Sequence, residues 1–346
     1  MGDLARYAAV NARVRTLLPA LLGPDGLATL AGYPTLEAVR SALAHTAYGL
    51  GGEGGSDDEV SLMDRIAAVA PGILATTADP EQGFLREVLL RRELENLKIV
   101  VRAVHHRMPP EAVASALLSI RGADTVDARR LLLAADLRDL RDRLRGTVYE
   151  VPFGSGLHLV ERSGPFAVEV ALELDYYERL WDRTRTLRPR DARIARALLG
   201  VLYDVLNLGW IVRYRDVLGL SREEIVNYTL AQGRWLEPTV RQTLATDPSL
   251  PIEVALARTP YAPALERSEG LAFELVSARL LGMLAGEIRR GLRGYPFHIG
   301  VPLGFLLLLE LEIRDLQTLL AAKSLHEPAT LVMERLASAQ PSERPC

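Results

Sequence analysis

The chain has 346 residues, of which 49% are hydrophobic and 25% charged, a balance that excludes a disordered protein and allows a sizeable buried core. Its 41 basic and 44 acidic residues give a formal net charge of −3, without the basic excess of a nucleic-acid-binding protein. Because Leu, Ala and Arg are abundant and rank high in helix propensity, the composition favours an all-α protein.

Apolar residues recur at helical spacing along most of the chain, whereas segments rich in glycine and proline separate the helices. Gly23 to Gly26 ends the first helix, residues 49–58 form a glycine-rich loop, and Val151 to Pro165 is predicted to be a loop or short hairpin. Predicted helices cover residues 3–18, 36–47, 60–69, 84–107, 110–119, 125–145, 167–185, 190–218, 221–231, 235–245, 252–258, 268–290 and 302–323.

No segment is predicted to cross a membrane. The most apolar window, Ile299 to Leu309, is shorter than the roughly 20 residues that a spanning helix needs. The longer apolar run from Ala197 to Val212 is interrupted by Asp204 and Asn207. A membrane role would therefore be peripheral, through a protein partner. Cys346, the single cysteine, excludes an intrachain disulfide and fits a cytoplasmic location.

One short pattern, Leu-x-x-Thr-x-Tyr, closes a predicted helix at three places in the chain. Its tyrosines are 101 and 112 residues apart. A threonine and a tyrosine at a helix C-terminus can satisfy free carbonyl groups or cover the edge of a core, which is a structural role. The repeated pairs are Thr46 with Tyr48, Thr147 with Tyr149, and Thr259 with Tyr261.

A second pattern follows each tyrosine by about fifty residues and has an acid, then Asn or Asp three positions later, then Leu. Both patterns occur in the same order three times, which predicts an internal triplication. The acids are Glu93, Asp204 and Glu312, and their companions are Asn96, Asn207 and Asp315. We predict three repeats, covering residues 1–108, 109–219 and 220–346 of one intertwined assembly.

The spacing of the second pattern places the acid and the apolar residues on one face of a helix. A partly buried carboxylate needs a hydrogen-bonding or charged partner, for which an arginine, the motif threonine or the motif tyrosine are candidates. We therefore expect Glu93, Asp204 and Glu312 to fix the docking of each long helix. An acid–base role is less consistent with single acids more than 100 positions apart.

Other candidate sites lack the pattern that their chemistry requires, so we predict no catalytic, cofactor or metal site. The adjacent His105 and His106 do not share a helix face, and the remaining histidines are scattered. The Asp57-Asp58 pair has no second Asp-rich motif of the kind found in prenyl-diphosphate synthases. Three aspartates from Asp136 to Asp142 alternate with arginines, as on a salt-bridged exposed face.

The stretch Tyr7 to Arg15 (YAAVNARVR) resembles the N-terminal signature of the V-type ATP synthase C-subunit family, which includes the d subunit of eukaryotic V-ATPases. The turn Ala42 to Tyr48 and the helices containing Glu93 to Leu97 and Glu310 to Leu316 resemble further family motifs. The family commonly has Asn where Asp315 stands and Lys where Leu309 stands. The resemblance extends over nearly the whole chain.

This resemblance implies a funnel-shaped helical protein of three pseudo-symmetric repeats, with no active site and no cofactor. It implies a central-stalk rotor protein that joins the D and F subunits of the central axle to the membrane proteolipid (c/L/K-type) ring and transmits torque. The location implied is the cytoplasmic face of the membrane. The alternative is a soluble helical-repeat scaffold for another protein, although a period near 110 residues is longer than that of ordinary solenoid repeats.

Overall fold

The computed structural model describes residues 2–49, 58–118, 125–265 and 272–340. Over these residues the chain forms α-helices with short 3-10 and π turns and no strand, which confirms the predicted all-α class. The helices are α1 (Asp3–Leu17), α2 (Gly23–Gly32), α3 (Leu36–Ala44), α4 (Asp58–Ala75), α5 (Glu81–Leu89), α6 (Arg91–His105), α7 (Pro110–Val113), α8 (Ala128–Leu131), α9 (Leu137–Arg143), α10 (Glu150–Leu157), α11 (Val160–Ser163), α12 (Phe166–Arg183), α13 (Pro189–Val212), α14 (Arg222–Asn227), α15 (Pro238–Thr246), α16 (Ile252–Ala255), α17 (Ala262–Leu265), α18 (Phe273–Arg293), α19 (Gly300–Ser324) and α20 (Ala329–Arg335).

The helices belong to two compact units. Met1–Ser56 and Arg188–Cys346 form the terminal unit, and Asp57–Leu187 form the middle unit. In the terminal unit the long helices α13, α18 and α19 pack on one another, and α1, α2 and α3 pack on α19. Helix α19 is apolar on nearly all sides of its first three turns, so it is buried on all sides, as expected for a core helix.

The middle unit is built around α12, which packs on α5, α6 and α10. Its contact with α6 includes ion pairs from Lys98 to Glu173 and from Arg102 to Glu169. Because α6 carries Glu93 and Asn96, these contacts fix the helix on which one copy of the second motif lies.

The prediction of a loop or hairpin from Val151 to Pro165 was wrong, because this segment forms α10 and α11. Pro152 lies in the first turn of α10, where a proline is tolerated. A Cβ on Gly156 would lie 2.5 Å from the Cα of Val168, so this glycine allows close packing of α10 on α12. Gly156 therefore serves a helix contact and does not break the helix.

Several predicted helices are shorter or divided in the structure. The segment 84–107 is two helices, α5 and α6, and the segment 125–145 contains α8 and α9. Helix α1 ends at Leu17 and is followed by a 3-10 turn to Ala20, so it stops before the predicted break at Gly23 to Gly26. Pro24 instead lies in the first turn of α2, a helix that was not predicted.

Some predictions fall outside the described residues. These include most of the glycine-rich segment 49–58, the side chains of Asp57 and Asp58, the start of the helix predicted at Ser268, and Cys346. The division into three sequence repeats stays a prediction, because the two compact units cut the chain at other positions.

One helical stretch of the described chain, Pro189–Val217, is long and apolar enough to cross a membrane. However, 61% of its most apolar window is buried inside the protein. Asp204 and Asn207 lie within it and are hydrogen-bonded to other parts of the terminal unit. These are features of the core helix of a globular protein.

Candidate functional site: the acid and tyrosine junctions

The three Leu-x-x-Thr-x-Tyr motifs form the same hydrogen-bonded turn. In the first, the Thr46 hydroxyl donates to the Leu43 carbonyl (2.7 Å) and accepts from the backbone N–H of Tyr48 (3.2 Å). This threonine satisfies a carbonyl at the helix end and fixes the direction of the chain as it reaches the tyrosine. The corresponding distances are 2.6 and 3.2 Å at Thr147, and 2.7 and 3.2 Å at Thr259.

The carboxylate of Glu93 on α6 binds a turn that lies 32 residues further along the chain. It accepts from the backbone N–H of Thr125 (2.5 Å), the Thr125 hydroxyl (2.5 Å) and the backbone N–H of Val126 (3.0 Å). Burial, followed by the nearby Glu93 charge, raises the pKa of Tyr149. The Tyr149 hydroxyl meets no acceptor at hydrogen-bond geometry among the described residues.

Asp204 on α13 is the most completely enclosed of the three acids, with a side chain that is 0% exposed. It accepts from three successive backbone N–H groups, those of Arg234 (3.1 Å), Trp235 (2.8 Å) and Leu236 (3.2 Å). The Tyr261 hydroxyl donates to the same carboxylate (2.8 Å). Four donors therefore replace the water that this charge loses on burial.

Glu312 on α19 binds the first turn of α2. It accepts from the backbone N–H groups of Leu22 (2.7 Å) and Gly23 (2.9 Å), and the Tyr48 hydroxyl donates to it. Gly23 has a φ of +65°, a backbone conformation that glycine adopts without steric cost. Glu312 also lines a cavity and is 2% exposed, so its contact with α2 is slightly less enclosed than that of Asp204.

The three junctions follow one rule in the predicted repeat frame. Each acid binds a turn of the next predicted repeat and lies beside the motif tyrosine of that same repeat. The acid of the third repeat binds the first repeat in this way. The connections run from Glu93 to Thr125, Val126 and Tyr149, from Asp204 to Arg234, Trp235, Leu236 and Tyr261, and from Glu312 to Leu22, Gly23 and Tyr48.

The companion residue, one helical turn after each acid, holds a second segment. Asn96 donates to the carbonyl of Leu118 (3.0 Å) and accepts from the N–H of the same residue (2.8 Å). Asn207 makes the same pair of bonds with Leu230, at 3.1 and 2.8 Å. A side-chain amide can do this because it carries both a donor group and an acceptor.

Asp315 occupies the third companion position and makes a different contact. Because an ionised carboxylate has no donor, its two oxygens accept from the backbone N–H groups of Ala337 (2.7 Å) and Ser338 (2.6 Å). Burial raises the pKa of Asp315 to about 6, and the N–H donors only partly oppose this effect. Burial likewise raises the pKa of Asp204, against the opposing hydrogen bonds from Trp235 and Tyr261.

Of the partners predicted for the acids, the motif tyrosine is found at Asp204 and Glu312, whereas the backbone N–H partners were not predicted. The acids bind mainly backbone N–H groups, and the motif threonines make turns without contacting the acids. A clue was present in the sequence, since Leu118 and Leu230 stand at nearly the same offset, 22 and 23 residues, from Asn96 and Asn207. Because a backbone donor does not depend on the type of side chain, only the repeated offset between the two segments could have indicated it.

Other candidate positions have structural contacts. Asp136 caps the N-terminus of α9, and Asp139 pairs with Arg143 on the same helix. The rings of His105 and His106 contact each other edge to face. Within the described ranges, no group of three His, Cys, Asp or Glu side chains is placed to hold a metal ion.

These contacts define a class, an all-α protein in which buried acids on long helices bind the turns and tyrosines of neighbouring segments. The chain belongs to the ATP synthase (C/AC39) subunit family, whose sequence profile matches residues 10–335. It is 24% identical to the C subunit of the A-type ATP synthase of Methanosphaera stadtmanae, over 92% of this chain and 84% of that protein. The corresponding C subunits of Methanocaldococcus jannaschii and Pyrococcus horikoshii are 24% and 22% identical, over 93% and 90% of this chain and 84% and 85% of their own lengths.

Proposed function

We propose that this chain is the non-catalytic central-stalk subunit of a V/A-type rotary ATPase. In this role it joins the D and F subunits of the axle to the proteolipid ring and transmits torque between them. It resides on the cytoplasmic face of the membrane, attached through the complex. The observation that carries the proposal is the family match across residues 10–335 of an all-α chain.

The junctions support a mechanical role for the motif residues. A part that transmits torque must resist shear between its helices, and a densely packed interior transmits strain. Glu93, Asp204 and Glu312 are at most 2% exposed, and each joins segments that are far apart in sequence. We assign them the role of holding successive repeats together.

The test is reconstitution with purified components. The chain is mixed with the isolated D–F pair and with a detergent-solubilised proteolipid ring, and the complexes are separated by size-exclusion chromatography. We expect the D–F pair and the ring to co-elute only when this chain is present. Failure to bind either component would overturn the central-stalk assignment and favour a scaffold for another protein.

A second measurement addresses torque transmission. Asp204→Asn weakens a buried junction, whereas Glu37→Gln alters an exposed acid on α3 that has no assigned contact. In a reconstituted complex, Asp204→Asn is expected to lower the number of ions moved per ATP hydrolysed, and Glu37→Gln to leave it unchanged. Equal coupling in both variants, with assembly intact, would contradict a mechanical role for the junction.

A further inference from the structure

A cavity of about 310 Å³ opens beside the Glu312 junction in the terminal unit. Its lining combines apolar walls with arginines from two helices, Arg15 on α1 and Arg289 and Arg293 on α18. The volume is at the lower end of the range for small-molecule sites, roughly 300–1,000 Å³. The apolar part is formed by Leu18, Leu21, Leu292 and Leu308.

Among the described residues, no direct contact with a carboxylate neutralises the three guanidinium groups. Arg15 donates to the carbonyl of Leu292 (3.4 Å), and Arg289 donates to the carbonyl of Ser338 (3.0 Å). In the described part of the chain, none of the three forms an ion pair with a carboxylate. Glu312, the acid found among the described lining residues, is already bound to two backbone N–H groups and the Tyr48 hydroxyl.

The pKa of Arg289 is lowered in this group of arginines. Burial lowers its pKa, and the positive charge of Arg293 acts in the same direction, while Glu312 and Asp315 oppose both effects. A guanidinium that is partly desolvated next to a second guanidinium would gain from an anion placed between them.

We propose that this cavity binds the phosphate group of a small ligand. The lining carries three arginines and one glutamate, a charge of about +2 that Asp315 near Arg289 partly offsets, and this positive site suits a phosphate monoester of about −1.5 to −2. Arginine donors suit phosphate oxygens, and the four leucines suit the carbon part of the ligand. The binding site is independent of the proposed rotor function.

The first experiment measures the binding of inorganic phosphate to the purified chain by titration calorimetry at constant ionic strength. We expect saturable binding below about 10 mM phosphate, with a Kd near or below the millimolar range. No saturable binding at these concentrations, together with no binding of phosphatidic acid vesicles, would overturn the proposal.

Matched variants test whether binding occurs in this cavity. Arg15→Gln and Arg293→Gln remove exposed cavity arginines, and Arg13→Gln and Arg290→Gln remove exposed arginines of the same helices that do not line it. Loss of one charge-assisted contact is expected to weaken binding by about tenfold in each cavity variant. Equal affinities in cavity and control variants would show an adventitious ion only and would overturn the site.

The source of the phosphate group is tested with vesicles. Phosphatidic acid in a phosphatidylcholine vesicle presents a phosphate monoester at a membrane surface, and pure phosphatidylcholine is the control. Binding to phosphatidic acid that is lost in Arg293→Gln but kept in Arg290→Gln identifies a lipid headgroup. Binding of free phosphate without vesicle binding identifies a soluble ligand, and either result supports the cavity as a phosphate site.

Discussion

The junctions on α13 and α19 use the same sequence positions but differ in charge and enclosure. On α13, Asp204 has four hydrogen-bond donors in a closed environment, and its companion Asn207 is neutral. On α19, Glu312 has three donors and lines a cavity, and its companion Asp315 is a second carboxylate. One helix thus buries a single acid at its junction and the other buries two.

The two helices share the positions of the acid and its companion, but the companions bind different backbone groups. The position of the side chain on the helix is kept, whereas the identity of the bound backbone groups varies with the chemistry of that side chain. An amide holds the carbonyl and N–H of one residue, and a carboxylate holds two N–H groups. The companion position therefore tolerates Asn or Asp, provided that the opposing loop presents the backbone groups that the side chain can bind.

The largest expected effect is the loss of stability when an acid is replaced by Ala, and it should be greater for Asp204 than for Glu312. Asp204→Ala leaves three backbone N–H groups and the Tyr261 hydroxyl buried without an acceptor, and should lower the free energy of unfolding by about 3–5 kcal/mol. Glu312→Ala should cost about 2 kcal/mol, because water in the adjoining cavity can bind the released donors. Urea denaturation of both variants measures the difference.

Glu37→Gln is the matched control for these variants, and it should leave the unfolding midpoint within error. A larger loss of stability in Glu312→Ala than in Asp204→Ala would show that enclosure does not set the strength of a junction.

The second effect is a pH dependence from Asp315. The pKa of its carboxyl is ordinarily 3.8 and is about 6 in the folded chain, so the folded state binds this proton more tightly. The resulting stabilisation is fully present below pH 3.8 and is lost as the pH rises through 6. Its size is on the order of 2–3 kcal/mol. The difference in unfolding free energy between wild type and Asp315→Asn, measured from about pH 4 to 8, should follow this curve.

The reciprocal change puts a carboxylate at the companion position on α13. Asn207→Asp removes the amide donor to the Leu230 carbonyl, to which Arg241 also donates, and places a carboxylate oxygen against that carbonyl. This variant should be destabilised near neutral pH and should recover part of its stability in acid, where a protonated Asp can donate again. A variant with the same stability at both pH values would contradict the assigned contact.

The sequence was sufficient to predict the all-α class, because side-chain periodicity records which helix face is buried. The role of the twelve motif residues as a site stays a prediction. The sequence could not identify backbone donors such as Trp235 and Leu236, which any residue except proline can supply. It also misled at α10, where Gly156 serves close helix packing. The sequence alone does not show whether a glycine serves a turn or a close helix contact, because that depends on the segment packed against it.

The third effect concerns the turn around Asp204. A Cβ on Gly233 would lie 2.1 Å from an Asp204 oxygen, so Gly233→Ala should displace the carboxylate or the turn and lower the unfolding free energy by about 1–3 kcal/mol. Gly23→Ala, at the Glu312 turn, has open space around the added Cβ and should cost about 1 kcal/mol from its φ of +65° alone. Thermal denaturation of the two variants ranks them. Equal costs would show that the Asp204 turn moves freely.

The smallest expected effect is the loss of stability when a single tyrosine hydroxyl is removed. Tyr261→Phe removes a donor to Asp204 and should cost about 1–2 kcal/mol, because the buried carboxylate loses one of its four partners. Tyr149→Phe should cost less than about 0.5 kcal/mol, because that hydroxyl has no acceptor at hydrogen-bond geometry in the described chain. Both substitutions keep the ring, so packing is the same and the comparison isolates the hydroxyl. Denaturant titrations of the two variants would measure these costs, and a Tyr149→Phe loss as large as that of Tyr261→Phe would show that Glu93 takes a tyrosine hydrogen bond in solution as Asp204 does.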